Sequence, residues 1–387
     1  MKVGYVVLYE DGELVISKNH TLLQKKIIKN YGEFEDTNIQ WENESNKIKK
    51  VQILDQVKSN CVRKWFEDCI NLTTLINFKN LDISDCTDFS RMFGYCKSLQ
   101  HLNGLQNWNV SNCTDFNSMF ASCESLQDLN GLQNWNVSNG KDFFSMFNNC
   151  KSLQYINELQ NWDVSSCTDF SYMFSNCKSL QDLKGLKNWN VSNGIDFSRM
   201  FGYCKSLQHL NGLQNWKVST GTDFSGMFAS CESLQYINEL QNWNVSNGTN
   251  FSYMFSNCKS LQDLKGLQNL DVSNGIDFSY MFEYCESLQD LNELQNLDVS
   301  NGTNFSYMFS NCKSLQDLNA LQDLNVSNGT DFSCMFFNCE SLQNISLSNT
   351  FKNIIKEMFE LCNTTLKIHW KNHIYTYEDL LEYQTIY

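Results

Sequence analysis

Proline is absent from all 387 residues, and no apolar run approaches the roughly 20 residues that a membrane-spanning helix needs. The first apolar stretch, residues 3–8, ends at Glu10 and Asp11 and is too short for the apolar segment of a secretion signal. On these grounds the sequence alone predicts a cytoplasmic chain with no integral membrane segment.

Positive charge is also scarce. The chain has 29 Lys and Arg residues against 43 Asp and Glu residues, which gives a formal net charge of −14. General nucleic-acid binding requires a basic face that displaces counterions from phosphates, so we expect no nucleic-acid partner. A basic partner remains compatible with this charge.

The residue patterns of enzymes and metal sites are missing as well. No CxxC pair, no Cys/His cluster of zinc spacing and no HExxH motif occurs, and His101 and His209 merely share one position of a repeat. An active site needs unlike residues that converge, whereas this chain repeats like ones. We therefore predict that the protein is not an enzyme and has no cofactor, metal site or catalytic residue.

A strict internal repeat is what the sequence does contain. The pair Met-Phe recurs every 27 residues from Met92 to Met335, and cysteines (Cys96 to Cys339) and leucines keep the same step through ten units. A degenerate unit stands at each end of the array. Such a period indicates units that stack on their neighbours, so residues 62–362 are predicted to form a solenoid.

Within one unit, the spacing of apolar residues suggests a helix. Phe170, Met173, Phe174 and Cys177 fall at i, i+3, i+4 and i+7, which is one face of about two helical turns. Asp169 precedes them as a candidate N-cap, and Asp or Asn holds this position in every unit.

The rest of the unit carries aliphatic residues spaced by three, and we expect a short parallel strand around Leu183. The predicted fold class is therefore α/β: a leucine-rich-repeat-like solenoid with one short helix and one short strand per unit, and with terminal caps. The expected core consists of rows of Phe, Met-Phe, Cys, aliphatic residues and Trp. The Trp row runs from Trp108 to Trp243 and is then replaced by leucine.

The ends differ from the repeat, as solenoid ends must. Residues 1–61 are predicted to contain a hairpin around residues 10–12, a helix at 22–28 and a strand at 51–54, and they form either a cap or a small α/β domain. Residues 363–387 are predicted to form a C-terminal cap, with a hairpin around residues 371–372 followed by a helix at 377–383.

The repeat resembles that of the BspA-type leucine-rich-repeat surface proteins. Residues 186–193 (Leu-Lys-Asn-Trp-Asn-Val-Ser-Asn) are similar to that family's Trp-Asp-Val-Ser-Asn segment, and residues 200–207 are similar to its Met-Phe-x-x-Cys-x-x-Leu segment. The resemblance covers residues 62 to 362. It implies a right-handed solenoid, a role in adhesion or partner binding, no enzyme activity, and a cell-surface or secreted location. The missing export signal departs from the usual surface member.

One variable column suggests where a partner binds. The residue before the second core leucine of each unit forms a set that we call the strip: His101, Asp128, Tyr155, Asp182, His209, Tyr236, Asp263, Asp290, Asp317 and Asn344. Lys184 lies two residues after Asp182. We predict a non-enzymatic interaction or adhesion scaffold that binds a protein or glycan through Tyr155, Asp182, Lys184, His209, Tyr236 and Asp263. The alternative is a passive structural spacer or surface-coat protein in which this variation is drift on a solvated face.

Cysteine is abundant, with 17 residues, and ten of them form the single row from Cys96 to Cys339. Cysteine is among the most buried residue types even when it is a free thiol, so we expect this row to be reduced and buried. Cys86 and Cys113 share another column on neighbouring units, at a separation that would also permit a disulfide.

Thiol labelling tests the buried row. In native protein the Cys96–Cys339 row should stay mostly unreacted, and all 17 cysteines should react after denaturation, because only an accessible thiolate is nucleophilic. Fast native labelling of Cys204 or Cys231 would contradict the expected burial.

Overall fold

The computed structural model describes residues 2–383 and 385–386, and the chain divides into two compact units. The first comprises Met1–Val191 and the second comprises Ser192–Tyr387. The division falls inside the repeat array, so each unit contains regular repeats and one end of the chain. The terms first unit, second unit and both units refer to these two compact parts, which are described separately. Every other unit is a 27-residue repeat.

The first unit begins with a five-stranded sheet, which consists of β1 Lys2–Tyr9, β2 Glu13–Ser17, β3 Ile27–Glu35, β4 Lys50–Ile53 and β6 Thr74–Ile76. Their order in the sheet is β3-β1-β2-β4-β6. A second, two-stranded sheet pairs β5 Val57–Lys58 with β7 Leu81–Asp82. The predicted hairpin is confirmed by the pairing of Leu8 with Leu14, and the strand predicted at 51–54 is confirmed as β4.

The helix predicted at residues 22–28 is wrong. Residues 24–25 form a bend and Ile27 already begins β3, which pairs antiparallel with β1. The β-branched residues Ile27 and Ile28 suit a strand, and the backbone groups of β1 on that side find their partners in β3. Four 3-10 helices complete the first unit: Glu42–Lys47, Phe78–Asn80, Asn157–Asn161 and Lys184–Leu186.

The second unit contains its strands near its C-terminal end. These strands are β8 Asp317–Leu318, β9 Asn344–Ser346, β10 Ile354–Ile355, β11 Lys367–Trp370, β12 His373–Thr376 and β13 Thr385–Ile386, and helix α1 spans Tyr377–Tyr383. Four of the strands form a sheet in the order β12-β11-β9-β8, and β10 pairs with β13. The 3-10 helices are Asn238–Leu240, Lys265–Leu267, Asn292–Asn296, Ala320–Asp323 and Lys356–Phe359. The predicted C-terminal hairpin and helix are both confirmed.

The solenoid of 27-residue units is confirmed, but the short helix predicted in each unit is wrong. Among the described residues of the array, the Met-Phe segments form successive turns with no α-helix. Met173 donates its N–H to the Phe170 carbonyl and Cys177 donates to that of Phe174, three residues back rather than four. Tyr172 and Asn176 have φ of 57° and 61°, left-handed values that interrupt any α-helix.

The neighbouring unit explains this geometry. The N–H of Phe143 donates to the Asp169 carbonyl at 3.1 Å, and the N–H of Phe147 donates to the Met173 carbonyl at 2.9 Å. Every other donor of the segment is therefore used between units and is not available for an i−4 bond. The i, i+3, i+4, i+7 spacing still points its apolar side chains inward, because each turn returns the chain to the same face.

No strand forms around Leu183, where Lys184–Leu186 is a 3-10 helix, but the equivalent Leu318 and Ile345 of the last repeats lie in the paired strands β8 and β9. The parallel pairing instead runs through the Asp/Asn column, where Asp88, Asp115, Asp142 and Asp169 form consecutive single bridges in the first unit. The side chains of this column accept backbone N–H groups, as predicted for helix N-caps, but they do so in turns. Asp169 accepts the N–H of Ser171 at 2.9 Å, so it closes a turn rather than capping a helix.

The predicted core rows are buried, and like rings stack along them. Phe93 and Phe120 lie 5.5 Å apart between ring centroids, and Trp135 and Trp162 lie 6.2 Å apart. The Trp row adds a hydrogen bond between units, because Nε1 of Trp135 donates to the Leu105 carbonyl at 3.0 Å. Trp162 and Trp189 repeat this bond to the unit before them.

The cysteine row is buried as well, and its thiols are not joined in disulfides. Sγ atoms along the row donate to a carbonyl of the preceding repeat, as Cys123 does to Phe93 and Cys258 does to Phe228. Cys86 and Cys113 are also free thiols, and they donate to the Ser59 and Asp115 carbonyls respectively. Burial raises the pKa of Cys177 and that of Cys231 to about 12, from an ordinary value of 9.0.

Two substitutions separate packing from hydrogen bonding in the Trp row. Trp135→Phe keeps an aromatic ring but removes the N–H, so we expect it to lower the free energy of unfolding by about 1 kcal/mol. Trp135→Leu also leaves a cavity, so we expect a loss of about 2–4 kcal/mol. Urea melts followed by circular dichroism measure both, and a Trp135→Phe variant as stable as the unchanged chain would show that the hydrogen bond contributes nothing.

The buried thiols predict loss of stability at alkaline pH. Their folded-state pKa lies above the unfolded value, so their contribution is complete below pH 9.0 and declines as pH rises towards about 12. Each thiol adds a slope of at most about 1.4 kcal/mol per pH unit. Urea melts across this range should give a shallower slope for Cys177→Ala/Cys231→Ala than for the unchanged chain. An identical slope would contradict this coupling.

Candidate binding surface

In the first unit, the strip residue Tyr155 is 41% exposed. It lies one 27-residue repeat before Asp182. The hydroxyl of Tyr155 donates to Oε1 of Gln181 at 2.8 Å, which holds the ring against the next unit. The N–H of Gln181 in turn donates to the Gln154 carbonyl at 3.1 Å. The strip therefore lies beside a backbone ladder, on a support that fixes its position.

Asp182 and Lys184 are held by a local turn. The half-buried Asp182 carboxylate accepts the N–H of Lys184 at 3.1 Å and lies 3.3 Å from its Nζ. The next residue, Gly185, packs directly on the Ile156 carbonyl, where a β-carbon would clash. Part of the variation along the strip therefore follows from turn geometry, and Lys184 keeps an exposed charge.

In the second unit, His209, Tyr236 and Asp263 occupy three consecutive repeats. His209 is exposed, and Tyr236 and Asp263 are half-buried. The Tyr236 hydroxyl donates to Oε1 of Gln262 at 2.9 Å, which repeats the arrangement of Tyr155. Asp263 closes the same turn as Asp182, with Lys265 as its partner. The predicted residues thus lie on the surface in both units.

An open groove of about 490 Å³ lies in the second unit beyond the C-terminal ends of β9 and β11. Ser346, His369, Trp370 and Ile374 are among its lining residues, and Ile374 is 61% exposed. The repeat analysis did not identify this groove, because it is formed by the hairpin after the last unit.

The turn side of the second unit carries a surface feature that sequence reasoning also missed. Tyr253, Tyr280 and Tyr307 precede the methionine in three consecutive units and stack with centroid separations of 4.4 and 4.7 Å. The signal was visible as copies of Phe-Ser-Tyr-Met-Phe in three consecutive repeats, at residues 251–255, 278–282 and 305–309, with a separate fourth copy at 170–174. It was passed over because a helix would have spread these side chains over its solvated face.

These surfaces present polar and charged side chains. Within residues 2–383 and 385–386, no group of three or more His, Cys, Asp or Glu side chains is placed to hold a metal ion. No helix in the described part of the chain is long and apolar enough to cross a membrane. What the surfaces do offer is phenol, carboxylate, amide and ammonium groups on stacked turns.

Several solved leucine-rich repeat proteins are similar to this chain. A leucine-rich repeat protein from Bacteroides ovatus is 18% identical over 96% of this chain and 98% of its own, with a TM-score of 0.47. One from Eubacterium ventriosum is 16% identical over 96% of each chain, with a TM-score of 0.46. A leucine-rich cell surface protein from Faecalibacterium prausnitzii is 15% identical over 96% and 95%, with a TM-score of 0.43. These scores are too low to transfer the properties of those proteins to this chain.

No curated protein matches the sequence. One family model, described as "Mycoplasma protein of unknown function, DUF285", matches residues 59–183, 152–265, 175–293 and 263–371. These overlapping matches span the whole repeat array, well over half of the chain. The chain therefore belongs to the DUF285 family of repeat proteins.

Proposed function

We propose that this protein is a non-enzymatic interaction or adhesion scaffold that binds a protein or glycan partner through the strip. The observation that carries the proposal is a combination found in both units: strip residues vary between repeats, reach solvent, and stand on a hydrogen-bonded backbone ladder. The Phe, Met-Phe, Cys, Leu and Trp rows are committed to the core and cannot also meet a ligand.

Tyr155 and Tyr236 are the side chains on which we expect binding energy to concentrate. Tyrosine offers a large amphipathic area at low cost in conformational entropy, and it is enriched among residues that dominate interfaces. Both hydroxyls are already tied to a glutamine of the next unit, so little side-chain freedom remains to be lost on binding. Lys184 and Asp263 would add charge selectivity.

Residues 1–61 and 363–387 are proposed to act as caps. Strand β2 pairs with β4, and β4 pairs with β6 of the degenerate unit, so these strands cover the backbone edge that the array would otherwise expose. Strand β11 pairs with β9 in the same way at the other end. The resemblance of the repeats to BspA-type surface proteins supports adhesion at a cell surface as the setting.

Labelled protein applied to peptide and glycan arrays tests the proposal. We expect reproducible binding to a restricted set of probes, and Tyr155→Ala/Tyr236→Ala should weaken it by more than about 1 kcal/mol, or roughly fivefold, with little change in melting temperature. The matched control is Lys178→Ala/Lys259→Ala, which removes exposed charges outside the strip and should bind normally.

Two results would oppose the proposal. Blank arrays would favour the passive spacer. Loss of binding in the lysine control together with normal binding by the tyrosine variant would place the binding surface elsewhere on the molecule.

A further inference from the structure

The ring centroids of the tyrosine stack in the second unit are closer together than those of the neighbouring stacks in the core. The Tyr253–Tyr280 and Tyr280–Tyr307 centroid separations are 4.4 and 4.7 Å, with interplanar angles of 5° and 4°. The buried Phe251 and Phe278 of the same units lie 5.5 Å apart. Neighbouring tyrosine rings are thus nearly parallel, and their centroids lie closer together than those of the buried phenylalanines.

The repeated backbone produces this arrangement. The three tyrosines have φ of 58°, 59° and 56°, a left-handed conformation that is uncommon for a bulky residue. Identical backbone angles at identical repeat positions aim the three rings in the same direction. Neighbouring units are hydrogen-bonded on both sides of the column, as in the bond from the Tyr253 N–H to the Ser279 carbonyl, so the rings cannot drift apart.

The stack has defined ends and is open to solvent. On one side the column continues with Gly226, which has no side chain, and the Arg199 side chain lies over it. On the other side it continues with Cys334, which is half-buried and a free thiol. Tyr253 is 38% exposed, and Tyr280 and Tyr307 are half-buried, so small oxidants can reach the rings.

The phenols keep their protons at neutral pH. Desolvation raises the pKa of Tyr253 and raises that of Tyr280 to about 12. Oxidation of either ring under ordinary conditions therefore removes a proton together with an electron and leaves a neutral phenoxyl radical. Two such radicals on facing rings would be held in contact rather than having to meet by diffusion.

We propose that the Tyr253–Tyr280 pair is a site of intramolecular dityrosine formation when the protein meets hydrogen peroxide and a one-electron peroxidase. Each phenol loses one hydrogen atom, the two radicals join through a carbon–carbon bond ortho to the hydroxyls, and proton shifts restore both aromatic rings. The two hydrogen atoms and one hydrogen peroxide leave as two water molecules. The product is a covalent link between neighbouring repeats.

Cys334 directs the reaction to this pair. Cys334 follows Tyr307 in the column, and its thiol raises the pKa of Tyr307, so a ready hydrogen-atom donor lies close to the Tyr307 hydroxyl. A phenoxyl radical on Tyr307 would take hydrogen from that thiol and return to tyrosine, leaving a thiyl radical on Cys334. Tyr253 has no cysteine beside it in the column, so its radical survives to couple with that of Tyr280.

The test treats dilute, monomeric full-length protein with hydrogen peroxide and a haem peroxidase. We expect dityrosine fluorescence in the monomer fraction, a mass lower by two hydrogen atoms, and a cross-linked peptide joining Tyr253 to Tyr280. Tyr280→Phe keeps the ring stack but removes the shared partner of both pairs, so its monomer should show only background fluorescence. Tyr203→Phe, at an exposed tyrosine outside the column, should react like the unchanged chain.

Two further variants sharpen the outcome. Cys334→Ser should add a Tyr280–Tyr307 link to the product, whereas Tyr253→Phe should remove the Tyr253–Tyr280 link. The proposal is overturned if the monomer forms no dityrosine while free tyrosine couples in a parallel reaction, or if Tyr280→Phe yields as much as the unchanged chain. Cross-links found only between molecules would overturn it equally.

Discussion

The backbone hydrogen bonds between successive units are the interaction on which the structure depends. In the Met-Phe segments alternate N–H groups donate to a carbonyl 26 residues further along the chain, as Phe143 does to Asp169. These bonds leave no donors for an α-helix and fix the interval between units at the separation of paired backbones. Because every unit uses the same donors, an identical side chain recurs at the same place on each turn, and rows of like residues follow.

The buried side chains reinforce the same spacing. Tryptophan Nε1 and cysteine Sγ both donate to a carbonyl of the preceding unit, so two of the core rows are hydrogen-bonded as well as packed. Burying an indole N–H or a thiol without such a partner would carry a desolvation penalty. This requirement accounts for the strictness of the cysteine row, where a purely aliphatic residue of similar size would leave the Phe carbonyl with one partner fewer.

Side chains that face solvent are not bound by the packing and hydrogen-bonding requirements of the core. Their identity therefore differs between the first unit and the second unit. The strip presents phenols, carboxylates and a lysine beside a backbone ladder, while the turn side of the second unit presents a column of stacked tyrosines. Both depend on the rigidity of the stacked turns rather than on a cavity. A solenoid of this kind is suited to recognition along its surface, because its stacked turns hold exposed side chains at fixed intervals.

The sequence by itself determined the period, the identity of the buried rows, the position of the terminal hairpins and the surface exposure of Tyr155 and His209. Strict spacing is a local property and needs no knowledge of the neighbouring unit. Only the tertiary structure decided that Phe170 to Cys177 forms turns instead of a helix and that Ile27 begins a strand. Whether an N–H bonds within its own segment or to a distant one depends on which chain lies beside it, and the i, i+3, i+4, i+7 pattern fits both outcomes. The stacking of Tyr253, Tyr280 and Tyr307 follows from that choice, because a column forms only when left-handed turns are held in register.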